Sequence, residues 1–449
     1  MFRRSFLRRG IVETITKENF TLSRLTNGLR VITCDDGNGI TGMGLFTLNA
    51  ARFEGPDSFG ASAVYEFMPL HGGEIITEKE VSAALGMFGN AYKVCNNKEA
   101  LAVMLMMPRY HQKDGLDLLD AMCLHPSTKA EKFEVAKQQT RERTQLLTRD
   151  PTTMCFEMVH DAAWSGQGLG NPLTPTEPQL EALTVDKFHR FFRTYTRPDR
   201  AVVAATGVAD HAEFALEAEK RLHFDYDATV TIDVPASPYT GGDRRVQNTE
   251  APESMNKFQE KNLSHVGLFF QGTPVAHPDY YTLSVIQTLL GGGTSFSSGG
   301  PGKGMQTKLF REVLNREAGL HGMECITAWY SEGGLIGFYG SAPHEHAQRL
   351  VAIMMQQGAS IAARVTDYHL EMAKNQLRSQ LILLGEGREQ LLNDMGFNML
   401  VHNFMITPAE TMEGSAKVTQ ESLKRVAREL VERPLTFVVY GETKGSAVL

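Results

Sequence analysis

One series of features occurs twice along the 449 residues, in the same order, and it constrains the fold more than anything else in the chain. In the first half, the apolar stretch Gly42–Asn49 (GMGLFTLN) contains Gly44-Leu45-Phe46. A Pro56-Asp57 turn follows, then a helical pattern over Phe59–Leu70 that runs into His71-Gly72-Gly73. In the second half, His265–Gln271 (HVGLFFQ) contains Gly267-Leu268-Phe269, and Pro278-Asp279, a helical pattern and Gly291-Gly292 come after it. At the far end of each half a threonine stands before a helical stretch: Thr184 before Val185–Thr194, and Thr419 before the stretch ending at Arg433. A threonine hydroxyl there accepts the free N–H groups of the first turn. Both stretches lead through Arg-Pro into an apolar strand, Ala201–Thr206 and Thr436–Tyr440. Matching elements in matching order imply one fold used twice. Strands with helices interposed, without regular βαβ alternation, imply an α+β architecture.

Between the copies, Asp225–Asn262 is polar and carries Pro235, Pro238, Pro252 and Gly241-Gly242. The expected division is an N-terminal domain over 13–228, a linker over 229–262 and a C-terminal domain over 263–449. Gly28–Cys34 and Ala100–Met107 read as strands, and Val81–Tyr92, Asp114–Leu124 and Thr128–Thr148 as helices. With 42% apolar and 22% charged residues the chain has material for a sizeable core. No apolar run approaches the roughly 18–20 residues of a membrane span. A net charge of −7 argues against nucleic acid and favours a basic ligand or partner. The five cysteines (34, 95, 123, 155 and 325) are scattered, with no CxxC pair, as expected of reduced core thiols in a non-secretory compartment. Residues 1–12 depart from the rest: Arg3, Arg4, Arg8 and Arg9 stand among Phe2, Phe6 and Leu7, with no acid before Glu13. That is the composition of a mitochondrial targeting segment; an ordinary basic terminus is the alternative.

The segment Gly291–Gly304 (GGGTSFSSGGPGKG) has seven glycines in fourteen residues and no apolar face. Ordering it would cost roughly 1–2 kcal/mol of backbone entropy per residue, more than its small side chains return. It lies between two apolar runs, inside a folded domain, where a long flexible loop more often carries function than architecture. Gly302-Lys303 looks like the end of a phosphate-binding P-loop. The positions that motif needs hold Ser297 and Gly304, so a phosphate cradle is excluded. A plain surface loop remains, or a gate whose exposed backbone groups pair with an extended guest chain.

Tyr239-Thr240-Gly241-Gly242, the run Leu289–Leu309 (LLGGGTSFSSGGPGKGMQTKL) and Lys374-Asn375-Gln376-Leu377 carry a resemblance that extends over nearly the whole chain from about Leu22. The sequence resembles the alpha-type subunits of mitochondrial processing peptidases and their relatives, the core proteins 2 of respiratory complex III. Both belong to the pitrilysin/insulysin-type superfamily. The resemblance implies two homologous α+β domains, each an antiparallel sheet with helices packed on one face. It also implies a cavity shared with a beta-type partner. The guest-handling residues it implies are those of the glycine segment: Gly291, Gly292, Gly293, Ser295, Phe296, Gly299, Gly300, Pro301, Gly302, Lys303 and Gly304.

Zinc-bearing members of this superfamily carry H-x-x-E-H on their first helix, with a glutamate from a later helix as third protein ligand. Here the motif falls on Gly60–Phe67, and Ala63 and Phe67 stand where the histidines belong. Glu66 survives. The distal glutamate position falls near Arg143, with Glu142 adjacent if the register slips by one. Lacking both imidazoles, this chain is expected to hold no zinc and to have no catalytic residues; the zinc belongs to the beta-type partner. His344-Glu345-His346 has i,i+2 spacing, which splits the pair between helix faces, and His71 and His160 read as structural.

What remains is binding. Presequences are arginine-rich, and Glu386, Glu389 and Asp394 fall on one half of the circumference of a helix expected over Gln376–Met395. Either they steer a basic peptide or they are a solvated face. The resemblance leaves two functions open. One is a non-catalytic, presequence-recognising subunit partnered by the beta subunit of a matrix peptidase. The other is a structural core protein of complex III, beside core protein 1 and the membrane subunits, on the matrix side of the inner membrane.

Overall fold

The computed structural model describes residues 3–4, 10–37, 39–234, 236–248, 263–294 and 305–443. Two compact units form. The first takes in Met1–Thr144, Asn171–Pro235 and Leu384–Met405; the second takes in Gln145–Gly170, Ala236–Leu383 and Ile406–Leu449.

The first unit is built on an eight-stranded sheet. Its order is Arg3–Arg4, Ile11–Lys17, Phe20–Leu25, Arg30–Cys34, Ala201–Thr206, Ile40–Thr47, Leu101–Pro108 and Tyr92–Asn96. Neighbours are antiparallel except Arg30–Cys34 beside Ala201–Thr206, which run parallel. The second unit has six strands, in the order Gly292–Thr294, Gly322–Trp329, Gly334–Pro343, Leu263–Gln271, Leu435–Gly441 and Gly242–Gln247. Its only parallel pair among the described residues is Leu435–Gly441 with Gly242–Gln247.

Aligned from their parallel pairs, the two sheets repeat the same five strands in the same spatial order, chain order and sense. Gly44-Leu45-Phe46 and Gly267-Leu268-Phe269 occupy the same strand of each copy. The threonine caps match too: Thr184 Oγ1 accepts from Lys187 N–H at 3.3 Å and Thr419 Oγ1 from Ser422 N–H at 3.2 Å. The chain therefore consists of two homologous α+β domains.

The polar stretch expected as a linker holds a strand. Gly242–Gln247 (GDRRVQ) is the counterpart of Arg30–Cys34 and lies at the edge of its sheet. Charged, exposed residues suit an edge strand, because they oppose pairing with a further chain. The remainder of that stretch from 249 to 262, like residues 1, 2 and 5–9 of the basic N-terminal segment, lies outside the described residues.

Contiguous halves would leave one face of each sheet bare. Instead each half of the sequence lends a helix to the other unit's sheet. Helix Pro151–Ala163 lays Cys155, Val159 and Ala163 on Phe269, Leu335 and Val438 of the second sheet. Helix Arg388–Phe397 lays Leu392 and Met395 on Ile32, Phe46 and Val202 of the first. Gly396 rests on the Phe46 ring so closely that a Cβ there would overlap it. The larger cores lie on the opposite faces of the two sheets. Of the five cysteines, all free, four are buried and Cys95 is partly so.

Three expected helices are shorter than their patterns. Phe59–Leu70 resolves into Ala61–Tyr65 and a 3-10 turn at Met68–His71, where Pro69 cannot donate to a continuing helix. Val81–Tyr92 becomes Glu78–Met87, capped by Thr77 and stopped at Gly89 and Asn90, both at positive φ. Gln376–Met395 is interrupted at Glu386-Gly387, between helices Asp367–Gly385 and Arg388–Phe397.

Candidate functional site

Where the zinc motif falls, the short helix Ala61–Tyr65 is held from its N-terminus by a buried acid. The Glu54 carboxylate accepts the N–H of Gly60 at 2.8 Å and of Ser62 at 2.7 Å. Burial pushes the Glu54 carboxyl up to about 7, although both bonds favour the anion. Tyr65 donates to the Cys123 carbonyl at 2.7 Å and stacks on Phe192. The backbone stays right-handed through Glu66 and Phe67.

Along that turn the side chains are wrong for a metal. Ala63 is buried, and its carbonyl accepts from Thr140 Oγ1 at 3.3 Å. Phe67 packs against the main core of the unit. From helix Ala130–Leu147, Arg143 Nη1 comes within 3.1 Å of Glu66 Oε2. That oxygen is buried and receives no aligned hydrogen bond, so the contact is an ion pair. Burial pushes the Glu66 carboxyl up, and Arg143 offsets only part of that rise. Glu142 turns outward and accepts from Gln138 at 3.0 Å, so it is Arg143 that faces Glu66. A methyl, a phenyl ring and a guanidinium offer zinc no lone pair, whereas a catalytic site takes about three N, O or S ligands. The residues present do not fit the metal.

His71, His160 and His344 each face a protein partner. His71 Nε2 lies 2.7 Å from Gln139 Oε1. His160 bridges the Phe156 carbonyl at 2.7 Å and the Tyr330 hydroxyl at 2.6 Å. His344–His346 forms a turn in which His344 faces Glu345 at 3.1 Å. Among the described residues no three His, Cys, Asp or Glu side chains gather as a metal group.

The glycine segment begins as sheet, where its composition suggests a segment free along its whole length. Gly291 ends helix Tyr280–Leu290 at φ 55°, and its carbonyl accepts from Cys325 N–H at 2.8 Å. Gly292, Gly293 and Thr294 then pair with Glu324, Met323 and Gly322 at the sheet edge. Gly292, at φ 110°, has no room for a Cβ: the Met323 carbonyl and the Glu324 Cα stand in its place. Gly292 N–H also donates to Thr307 Oγ1 at 3.3 Å, which ties the start of the segment to the chain just past its end. Beside Thr307, Lys308 donates to Gln357 and Ser360 at 2.5 Å each. Ser295, Phe296, Gly299, Gly300, Pro301, Gly302, Lys303 and Gly304 lie outside the described residues.

One acid at this edge escaped the sequence reading. Glu324 is half-buried opposite Gly292, and burial pushes its carboxyl up. Its only signal was a single acid in an otherwise uncharged strand, GMECITAW.

The three expected acids belong to the first unit, and the glycine segment to the second. They do not share one helix: Glu386 lies in the turn before Arg388–Phe397. Glu389 is exposed and paired with Lys93 at 2.5 Å. Asp394 accepts from Gln390 at 2.8 Å, and burial pushes it up to about 6.

The same two-domain plan recurs among known proteins. Residues 30–177 match the family described as "Insulinase (Peptidase family M16)", and residues 182–377 match the "Peptidase M16 inactive domain". The probable mitochondrial-processing peptidase subunit alpha of Schizosaccharomyces pombe is 28% identical over 412 residues, covering 91% of this chain and 81% of that protein. The mitochondrial-processing peptidase subunit alpha of Bos taurus is 28% identical over 423 residues, covering 91% and 79%. A chain of Complex III2 from Candida albicans has the same fold, with a TM-score of 0.79 over 95% of this chain and 97% of that one, at 16% identity. The two domain matches together take in well over half of the sequence, and with the repeated sheets they lead to one conclusion: the chain belongs to the insulinase-type (M16) peptidase family.

Proposed function

We propose that the protein is the non-catalytic, substrate-recognising alpha-type subunit of a heterodimeric mitochondrial processing peptidase. It binds the basic presequences of imported precursors through the glycine segment and presents them to a zinc-bearing beta-type subunit. The observation that carries this reading is the anchoring of Gly291–Thr294 at the edge of the sheet, as its outermost strand among the described residues, with Gly292 where no side chain fits. A sheet edge gives an extended peptide backbone partners, and flanking side chains give it preference. Glu324 lies opposite the anchored Gly292; Glu386, Glu389 and Asp394 are the acids proposed to steer a basic guest in the first unit; and the net charge of −7 has the complementary sign. The donor-poor site at Ala63, Glu66, Phe67 and Arg143 supports a division of labour in which the metal belongs to the partner. The names of the alpha-subunit relatives support a mitochondrial location.

The test is a deletion of residues 295–304 that leaves the anchored Gly291–Thr294 in place. We expect the shortened chain still to assemble with the beta-type subunit and presequence cleavage to be lost. Cleavage at the full rate would reject the reading.

The fold shared with a chain of Complex III2 favours a second role, as core protein 2 beside core protein 1 on the matrix side of the inner membrane. There the protein would co-migrate with the membrane subunits of complex III on a native gel. Migration as a soluble heterodimer alone would exclude that role.

A further inference from the structure

The pairing of Glu66 with Arg143 does more than mark a lost metal site. The Glu66 side chain is only 15% exposed. A carboxylate so placed needs a countercharge, because burial penalises an unpaired ion heavily. In a zinc-bearing relative the cation nearby is the metal. Here the cation is a side chain, and the packing directs it to that spot. Thr140 bonds the Ala63 carbonyl at 3.3 Å, and Arg143 lies three positions further along helix Ala130–Leu147. Residues three apart share a helix face. The face that packs on the motif helix at Ala63 is thus the face that sends the guanidinium to Glu66.

We propose that Arg143, at the place of the distal glutamate ligand, is the countercharge of Glu66: its guanidinium pairs with that carboxylate and keeps zinc out of the site even when the missing imidazoles are supplied. The motif turn then keeps its shape without any ion, held by Glu54 from one end and by Arg143 from the other. A further consequence is that the loss of zinc cannot be reversed at positions 63 and 67 alone. Two imidazoles beside an undisplaced guanidinium would offer a divalent cation a positively charged place, and guanidinium stays protonated at any ordinary pH.

The experiment compares the full-length chain with two variants, A63H/F67H and A63H/F67H/R143E, each refolded with zinc, desalted and analysed for bound metal. We expect the triple variant to retain stoichiometric zinc and to melt at a higher temperature with zinc than with a chelator. The double variant and the unaltered chain should retain none. Equal retention by the double and triple variants would overturn the proposal, as would a folded triple variant that retains none. A second measurement needs no new site: the thermal midpoints of E66Q, R143M and E66Q/R143M. R143M alone should lower the midpoint by several degrees, and adding E66Q should restore part of it. Strictly additive effects would overturn the claim that Arg143 is the countercharge of Glu66.

Discussion

Replacing Gly292 by alanine tests the glycine anchor at its tightest point. The residue sits at φ 110°, where an L side chain is strained by about 1–3 kcal/mol. Its new methyl would overlap the Met323 carbonyl oxygen and the Glu324 Cα, both backbone atoms of the neighbouring strand. Overpacking of that kind costs about 1–3 kcal/mol more, and neither atom can swing aside as a flexible side chain does. Against this stands the pairing of three residues, Gly292 to Thr294, with Gly322 to Glu324. At about 1 kcal/mol per net hydrogen bond, that pairing is worth about the same as the strain or less. The cheaper relief is for the short edge strand to detach while the rest of the sheet persists. Hydrogen exchange at residues 291–294 and 322–325 should therefore speed up markedly, the thermal midpoint should fall only slightly, and presequence cleavage by the assembled heterodimer should drop. Gly333, with open space around its Cβ position, is the control. If G292A kept wild-type exchange and cleavage, the anchoring argument would be refuted.

The buried interface of the lent helix makes a second prediction: G396V drives a side chain into the fully buried Phe46 ring and should cost about 1–3 kcal/mol in chemical denaturation, with G387A near neutral. Because each sheet takes a helix from the other half of the sequence, fragments 1–248 and 263–449 should be unstable apart and fold when co-expressed; independent cooperative melting of either fragment would contradict this. Glu54 predicts a pH effect. Its carboxyl is raised from 4.5 to about 7 in the folded state, so the folded chain binds the extra proton. Its contribution to stability is complete below 4.5 and is lost as pH rises through about 7, by at most about 3 kcal/mol at 1.36 kcal/mol per pH unit. The stability of E54Q should lack that part of the pH slope, and parallel pH profiles for the two proteins would refute it.

The legible parts of the sequence were those that the core dictates. A central strand buried on both faces admits little but apolar residues, so Gly42–Asn49 and His265–Gln271 announced the duplication. The Thr184 and Thr419 caps were readable because an unpaired helix terminus calls for a side-chain acceptor. Edge strands carry no such constraint. Gly242–Gln247 read as linker, and Tyr92–Asn96 went unread as a strand, with Tyr92 taken as the end of a helix, because one open side lets charge and polarity in. The helix exchange was invisible for a different reason. Pro151–Ala163 and Arg388–Phe397 each have an apolar face, but periodicity does not say whose sheet that face covers. At the zinc motif, the family resemblance pointed to Ala63 and Phe67, and Glu142 competed with Arg143 until helix packing decided the facing residue. The glycine segment's composition concealed its first turn of order, since glycine signals freedom even where it is chosen because nothing larger fits.

The account turns on recognition and catalysis being held by different chains. Presequence cleavage should be measured with this protein alone, with a zinc-bearing beta-type subunit alone, and with the two combined, with metal content determined for each. The account predicts cleavage only in the mixture, with all of the zinc on the partner. Hydrolysis by this protein alone, with zinc bound to it, would contradict the account.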